Sequence, residues 1–220
     1  MARAVARIYT ERSFVRYTID STMPRRSLTD VAETRREVLD TALQRASVDG
    51  LEGLTIGRLA DEANMSKAGL DGLFGSKEEL QAATFDKAVE HFTHEVWNPV
   101  AKRTPGLPRL NALLDRWLAY HRRRALQGGC LVTTATIEFD ARPGHLRDRV
   151  ANARRQMHAV LENDIRIATE AGDLPPTTDA KDAAFTLFAL ASAASQAIQL
   201  EEPGAAARAR RAMRRALGAG

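Results

Sequence analysis

Two histidines and two carboxylates have the spacing that first suggests chemistry in this chain. His91 and His94 lie one helical turn apart, so both could bind one metal ion, but no cysteine or further histidine follows at metal-ligand spacing. Solvated residues on a helix surface are the better interpretation. Glu138 and Asp140 could form an acid–base pair, but residues two apart point to different faces of a helix, which favours an exposed helix end. We expect neither a metal site nor a catalytic carboxylate pair.

The remaining reactive groups give no catalytic pattern either. Cys130 is the only cysteine, and beside Gly128-Gly129 and an apolar run it is better interpreted as a small buried residue than as an oxidant sensor. The sequence contains no glycine-rich phosphate loop, no nucleophile elbow and no His/Asp/Ser arrangement. We therefore predict a protein that is not an enzyme and needs no cofactor. An all-helical enzyme with a C-terminal cavity remains the less favoured alternative.

Composition favours a cytoplasmic protein. A single cysteine fits a reducing compartment, no apolar run is long enough to cross a bilayer, and the first residues lack the apolar core of a signal peptide. The net charge is +4, yet residues 1–80 carry 12 lysines and arginines against 13 aspartates and glutamates. Any binding of nucleic acid must therefore depend on the local placement of cations and helix N-termini.

Helical periodicity extends over most of the chain and strand signals are nearly absent. Capping residues, glycines and prolines divide the chain into nine predicted helices, at about 29–50, 56–63, 67–74, 76–99, 106–124, 131–140, 144–172, 179–200 and 204–217. The first is predicted to start at Thr29 or Asp30, with Asp30 and Glu33 as a capping box. Residues 1–29 are predicted to form a flexible basic arm, and Met23 is an alternative start of translation. The fold class is all-α.

The segment from Leu54 to Leu73 has the pattern of a helix-turn-helix. Ala60 is small where two helices must cross, and Asn64 falls where the turn needs a positive φ, which Asn tolerates best after Gly. Leu70 is apolar six residues later and fits the second helix onto the first. Such a unit presents its second helix from a rigid platform, as entry into the major groove of DNA requires.

The residues around this unit resemble a known family. Thr55-Ile56-Gly57-Arg58-Leu59-Ala60-Asp61-Glu62-Ala63-Asn64-Met65-Ser66-Lys67, followed by Phe74-Gly75-Ser76-Lys77-Glu78-Glu79-Leu80, resembles the DNA-binding domain of the TetR family, and residues 34–50 resemble its first helix. The resemblance implies a three-helix DNA-binding head over residues 30–90. It also implies a helical domain over residues 91–220 that binds a small-molecule effector and forms a homodimer through its last two helices.

The resemblance also implies roles for individual residues of the head. Thr55 and Ser66, which begin helices, and Lys77 are expected to contact phosphates, since helix N-termini attract anions. Arg58 and Lys67 are the other local cations. The face that reads base edges would consist of Lys67, Ala68, Gly69, Asp71 and Gly72.

The second helix of the unit departs from the family pattern. Asp71 stands where the family usually has an aromatic residue, most often Tyr, and Leu73 where it often has His. Gly69 and Gly72 each weaken the helix by about 1 kcal/mol relative to Ala. A carboxylate repels phosphates, although it can also accept a hydrogen bond from the amino group of cytosine. An interaction protein with degenerate DNA binding is therefore the second alternative.

The C-terminal domain offers aromatic residues for a ligand pocket and a stripe of small residues for a dimer. The candidate pocket residues are Trp117, Tyr120, His121, Phe185 and Phe188, although helical spacing is equally typical of plain core. The predicted dimer stripe lies on the eighth helix and consists of Ala184, Leu187, Ala191, Ala194 and Ile198. The sequence thus predicts a transcriptional regulator, a repressor that a small molecule releases from its operator, with activation as the other possible sign of control.

Overall fold

Nine α-helices account for most of the chain. The computed structural model describes residues 25–218, with side chains from residue 30 onward. The helices are α1 (Arg25–Asp49), α2 (Ile56–Glu62), α3 (Lys67–Phe74), α4 (Lys77–Phe92), α5 (Leu107–Arg123), α6 (Leu131–Glu138), α7 (His145–Glu170), α8 (Ala180–Gln199) and α9 (Ala205–Ala216), and a π-helical turn, Thr93–Trp97, extends α4. The described residues contain no strand, so the all-α prediction is confirmed.

Most helix boundaries follow the predicted caps. The side chains of Thr55, Ser66, Ser76 and Asp179 each accept a hydrogen bond from a backbone N–H in the first turn that follows. The exception is α1, which begins at Arg25, four residues before the predicted start. Asp30 therefore lies inside the helix, where its carbonyl accepts from the Thr34 hydroxyl at 2.9 Å, and the predicted capping box with Glu33 is wrong. The arm predicted for residues 1–29 lies mainly outside the described residues.

Two clusters of buried side chains hold the helices together. The first joins α1, α2 and α3 to α4, α6 and the start of α7, and it includes the fully buried Leu51, Leu54, Leu59, Leu70 and Phe74. The second fills the space between α4, α5, α7, α8 and α9. Because α4 contributes to both clusters, the helix-turn-helix rests on the same packed unit as the C-terminal helices.

The small residues of α8 pack inside the protomer. Ala184, Leu187, Ala191 and Ala194 all belong to the second cluster and are at most 4% exposed, while Ile198 is half-buried against it. The predicted dimer stripe is therefore wrong, because α8 uses these positions against α7 and α9 of its own chain. Within the described part of the chain, no helix has the length and apolar character needed to cross a membrane.

Candidate functional site

The helix-turn-helix has the geometry that the sequence predicted. Asn64 adopts a φ of 51°, and the turn closes with a hydrogen bond from the Met65 N–H to the Ala60 carbonyl at 2.9 Å. Ala60 is fully buried at the crossing of α2 and α3, and Leu70 fixes α3 to the platform. The orientation of α3 is thus set by packing and by the left-handed turn residue together.

One side of α3 is open to solvent. Lys67, Ala68, Asp71 and Gly72 are exposed and Gly69 is half-buried, whereas Leu70 and Phe74 face the core. The predicted reading face therefore lies on one accessible surface. The Ser66 hydroxyl accepts from the Gly69 N–H at 3.0 Å, and the Thr55 hydroxyl accepts from the Arg58 N–H at 3.4 Å. Each hydroxyl keeps its own proton, which it can donate to a phosphate oxygen.

The three predicted cations differ in what they already bind. Arg58 pairs with Asp49 at 3.0 Å, and the Lys77 ammonium donates to the Glu52 carbonyl at 2.9 Å and lies 3.4 Å from the Glu52 carboxylate. Lys67 has no carboxylate partner among residues 25–218, and its side chain extends along Gly57, where an added Cβ would lie 3.1 Å from the lysine Cε. Lys67 is therefore the cation best prepared to meet a phosphate.

Arg35 is a positioning residue that the sequence analysis missed. Its guanidinium donates to the Leu73 carbonyl at 2.8 Å and lies 4.3 Å from the centroid of the Phe74 ring. The carbonyls at a helix C-terminus lack helical partners and carry partial negative charge, so a cation there stabilises the end of α3. The contact joins residues 38 positions apart, and no local pattern announces it.

Glu138 is a second missed residue, because it is not the solvated helix end that its spacing suggested. Its carboxylate accepts from the Leu51 N–H at 3.0 Å and from the Glu52 N–H at 2.7 Å. Gly50 precedes these two amides with a φ of 76°, and a Cβ there would lie 2.9 Å from the Glu138 carboxylate. The end of α6 thus holds the loop that connects α1 to the helix-turn-helix.

In the C-terminal helices, the predicted pocket residues separate into three groups. Tyr120 and His121 line a small pocket. Trp117 and Phe188 form an edge-to-face pair in the adjoining core, with ring centroids 5.8 Å apart. Phe185 is 59% exposed on the outer side of α8 and does not line the pocket.

The pocket lies between α5, α8 and the segment that connects α5 to α6. Its other walls include Gly129, Cys130, Ser195 and Gln199, and Arg124 lies at its edge. His121 is 6% exposed and its Nε2 has no hydrogen-bond partner, nor has the Nε1 of the 3% exposed Trp117 one turn earlier. Burial lowers the pKa of His121 to about 4, so its imidazole is neutral at pH 7. Burial also raises the pKa values of Tyr120 and Cys130, which keeps both groups protonated.

The two histidines considered for a metal have different surroundings. His94 is exposed beside Glu95, as expected. His91 is not a solvated residue: it is half-buried, its ring centroid lies 5.9 Å from that of Tyr120, and burial lowers its pKa. In the described part of the chain, no group of three potential ligands comes together that could hold a metal ion. Cys130 is buried, as predicted.

Comparison with protein families matches both parts of the chain. Residues 38–84 match the family described as bacterial regulatory proteins, tetR family, and residues 106–213 match the tetracyclin repressor-like C-terminal domain. Comparison with curated proteins finds no match.

Solved structures show the same fold. A TetR transcriptional regulator from Chloroflexus aurantiacus is 25% identical, with a TM-score of 0.76, over 86% of this chain and 95% of that one. A regulator from Saccharomonospora viridis in complex with choline is 20% identical, with a TM-score of 0.72, over 84% and 95%. AibR, in complex with isovaleryl coenzyme A and operator DNA, is 20% identical, with a TM-score of 0.63, over 78% and 96%.

Proposed function

Because the chain belongs to the TetR family of bacterial regulatory proteins, we propose that it is a repressor that a small molecule releases from its operator. As a member of this family it is a DNA-binding transcriptional regulator with a ligand-binding domain. The observation that carries the proposal is the exposed face of α3, presented by the α2–α3 turn and bordered by the hydroxyls of Thr55 and Ser66. This face has the placement needed for insertion into the major groove.

The proposed contacts with DNA follow from what each side chain has free. Thr55 and Ser66 donate to phosphates, Lys67 supplies the unpaired positive charge, and Ala68, Asp71 and Gly72 face the base edges. Lys77 and Arg58 reach phosphates only if they leave Glu52 and Asp49, so their proposed contribution is smaller. Gly69 allows close approach of the α3 backbone to DNA.

We propose that the protein acts as a homodimer, since an operator with two half-sites about one helical turn apart needs two copies of α3. The outer side of α8 supports this. Phe185 and Leu200 are 59% and 75% exposed, and Ala189 and Ala193 are exposed between them at helical spacing. Small residues between large apolar ones permit close approach of two helices, and apolar patches of this kind mark protein interfaces.

The effector is proposed to bind among the C-terminal helices, next to Tyr120 and His121. Structures of relatives with the same fold were solved with choline and with isovaleryl coenzyme A, which supports a ligand-binding role for this part of the fold. Trp117 and Phe188 adjoin the pocket and would extend its wall if the ligand widened it. Phe185 belongs to the proposed dimer surface and not to the ligand site.

The proposal is tested by fluorescence anisotropy of the full chain with DNA from upstream of its own gene, and with a scrambled duplex as control. We expect tight binding to the upstream DNA that weakens steeply with salt, and weaker binding to the control. Equal affinity for both duplexes would favour the interaction protein with degenerate DNA binding, which the paired cations and Asp71 make the second candidate. No binding to either duplex at low salt would contradict the proposed repressor.

A further inference from the structure

The small pocket behind α1 differs from ordinary apolar core in having an unused polar atom in its wall. His121 is almost fully buried, yet its Nε2 has no partner. Buried polar groups are hydrogen-bonded in the great majority of cases, and leaving one unpaired costs free energy. The hydroxyl of Ser195 and the amide of Gln199 reach the same pocket from α8. The site therefore offers hydrogen bonds to a molecule that enters it.

The charges around the pocket exclude a charged ligand. Arg124 at the edge is already committed, since its guanidinium pairs with Glu201 at 3.0 Å and donates to the Ile198 carbonyl at 3.1 Å. No carboxylate lines the pocket. An anion would therefore meet no free cation, and a cation would meet no carboxylate, so either would lose its hydration without compensation.

The size of the pocket limits the ligand further. It contains about 230 Å³ of empty space, its open mouth included. Pockets that hold drug-sized ligands have roughly 300–1,000 Å³. The ligand that fits is a small molecule of about one ring, and the glycine and alanine residues in the wall give it flat, apolar surroundings.

The wall of the pocket is also attached to α1. The Gly128 N–H donates to the Ser47 hydroxyl at 3.0 Å, and the Gln127 N–H donates to the Gln44 amide oxygen at 3.3 Å. A Cβ at Gly128 would lie 1.7 Å from the Ser47 carbonyl oxygen, so the two backbones are in close contact. A ligand that displaces residues 125–130 must therefore move the end of α1, which packs against α2 and α3.

We propose that this pocket binds a small uncharged molecule whose hydroxyl group hydrogen-bonds to His121 Nε2, and that its entry displaces residues 125–130 and, through them, α1. A hydroxyl can donate or accept, so it satisfies either tautomer of the neutral imidazole. The binding step stands on the pocket alone, whereas its effect on DNA rests on the proposed function.

The binding step is tested on the full chain without DNA, by isothermal titration calorimetry with four probes of similar size. Phenol carries the hydroxyl, toluene replaces it by a methyl group, and benzoate and benzylammonium carry opposite charges. We expect phenol to bind about tenfold more tightly than toluene, the effect of one buried hydrogen bond, and the two ions to bind more weakly still. Equal binding of phenol and toluene, tighter binding of either ion, or no binding of phenol at millimolar concentration would overturn the proposal.

Variants locate the probe within the protein. His121→Phe is expected to abolish the preference for phenol over toluene, while the matched control His94→Phe, at an exposed histidine outside the pocket, keeps it. If circular dichroism shows that His121→Phe does not fold, Ser195→Ala provides the same test, and an unchanged affinity for phenol would then count against the site.

Transmission to the head is tested by adding phenol to the complex with upstream DNA. We expect the DNA affinity of the wild-type protein to fall, and we expect Gln44→Ala, which removes a link to Gln127, to retain phenol binding but show a smaller fall. Phenol that binds without changing DNA affinity would overturn the transmission alone. A failure of the ligand-free protein to bind DNA would instead contradict the proposed function and leave the calorimetric result standing.

Discussion

At the scale of single residues, the acidic side chain on α3 has the largest consequence for DNA binding. Asp71 is exposed on the same side as Lys67 and Ala68 and has no cationic partner among the described residues. In the major groove it either accepts from a cytosine amino group or repels the phosphates. The two glycines near it leave few other directed contacts, which favours repulsion.

Two substitutions at Asp71 separate these effects. Asp71→Tyr, which introduces the residue usual in the family, is expected to tighten binding to the upstream DNA and to a scrambled duplex alike, because a negative charge near phosphates is removed. Under base reading, Asp71→Ala would instead cost roughly 1–3 kcal/mol and relax the preference at one base pair. Anisotropy titrations of both variants on both duplexes measure this. No effect of either variant would mean that α3 does not dock with this face.

Lys67 and Lys77 differ in their ion pairs, and the salt dependence of DNA binding reports the difference. Lys67→Ala is expected to lower the slope of log affinity against log salt by about one unit and to weaken binding equally across operator variants. Lys77→Ala should lower the slope less, because the Lys77 ammonium is held by Glu52. A larger effect of Lys77→Ala would show that this ion pair opens on DNA.

At the scale of elements, α3 is short and contains two glycines, and its stability comes from both of its ends. Ser66 caps the N-terminus, and Arg35 holds the Leu73 carbonyl at the other end. Gly69 has little room, since a Cβ there would lie 3.2 Å from the Ser66 Oγ, whereas Gly72 has no atom within 4 Å of a Cβ. The two glycines are therefore not equivalent.

Replacing Gly72 with alanine should stabilise the protein. Ala reduces the backbone freedom of the unfolded chain, so Gly72→Ala is expected to raise the free energy of unfolding by up to about 1 kcal/mol. Gly69→Ala should gain less, because its methyl group presses on the capping hydroxyl. Urea denaturation of the two variants checks the order. A loss of stability in Gly72→Ala would indicate that α3 is not helical at this position in solution.

At the scale of the whole molecule, α8 divides into a face that builds the protomer and a face that we propose for its partner. The first consists of positions such as Ala191, which is fully buried, and the second of positions such as the exposed Ala193. Only two residues separate these alanines, yet a large charged side chain should have different effects at each.

The matched pair Ala193→Arg and Ala191→Arg tests the proposed dimer. Ala193→Arg is expected to give folded monomers, because the charge enters the surface between two copies, whereas Ala191→Arg should unfold the chain, because it buries an unpaired charge in the core. Sedimentation velocity and circular dichroism measure the two outcomes, with Ala141→Arg in an exposed loop as control. A wild-type monomer at micromolar concentration would contradict the dimer.

The sequence by itself determined the features that depend on neighbours along the chain. The caps at Thr55, Ser66 and Ser76, the positive φ of Asn64 and the periodicity of nine helices are local properties, so their residues predicted the all-α fold and the helix-turn-helix. The start of α1 is an exception among local features, since the Asp30–Glu33 pattern that predicted a cap lies within the helix.

Only the tertiary structure decided which side of each helix meets which neighbour. The stripe on α8 shows helical spacing whether it faces a partner or its own core, and packing against α7 and α9 assigned it to the core. The same holds for Lys77 with Glu52, for Glu138 with the amides of residues 51 and 52, and for Arg35 with α3. Each contact joins residues 25 or more positions apart, and such pairs are set by how the helices pack and not by the spacing of residues along the chain.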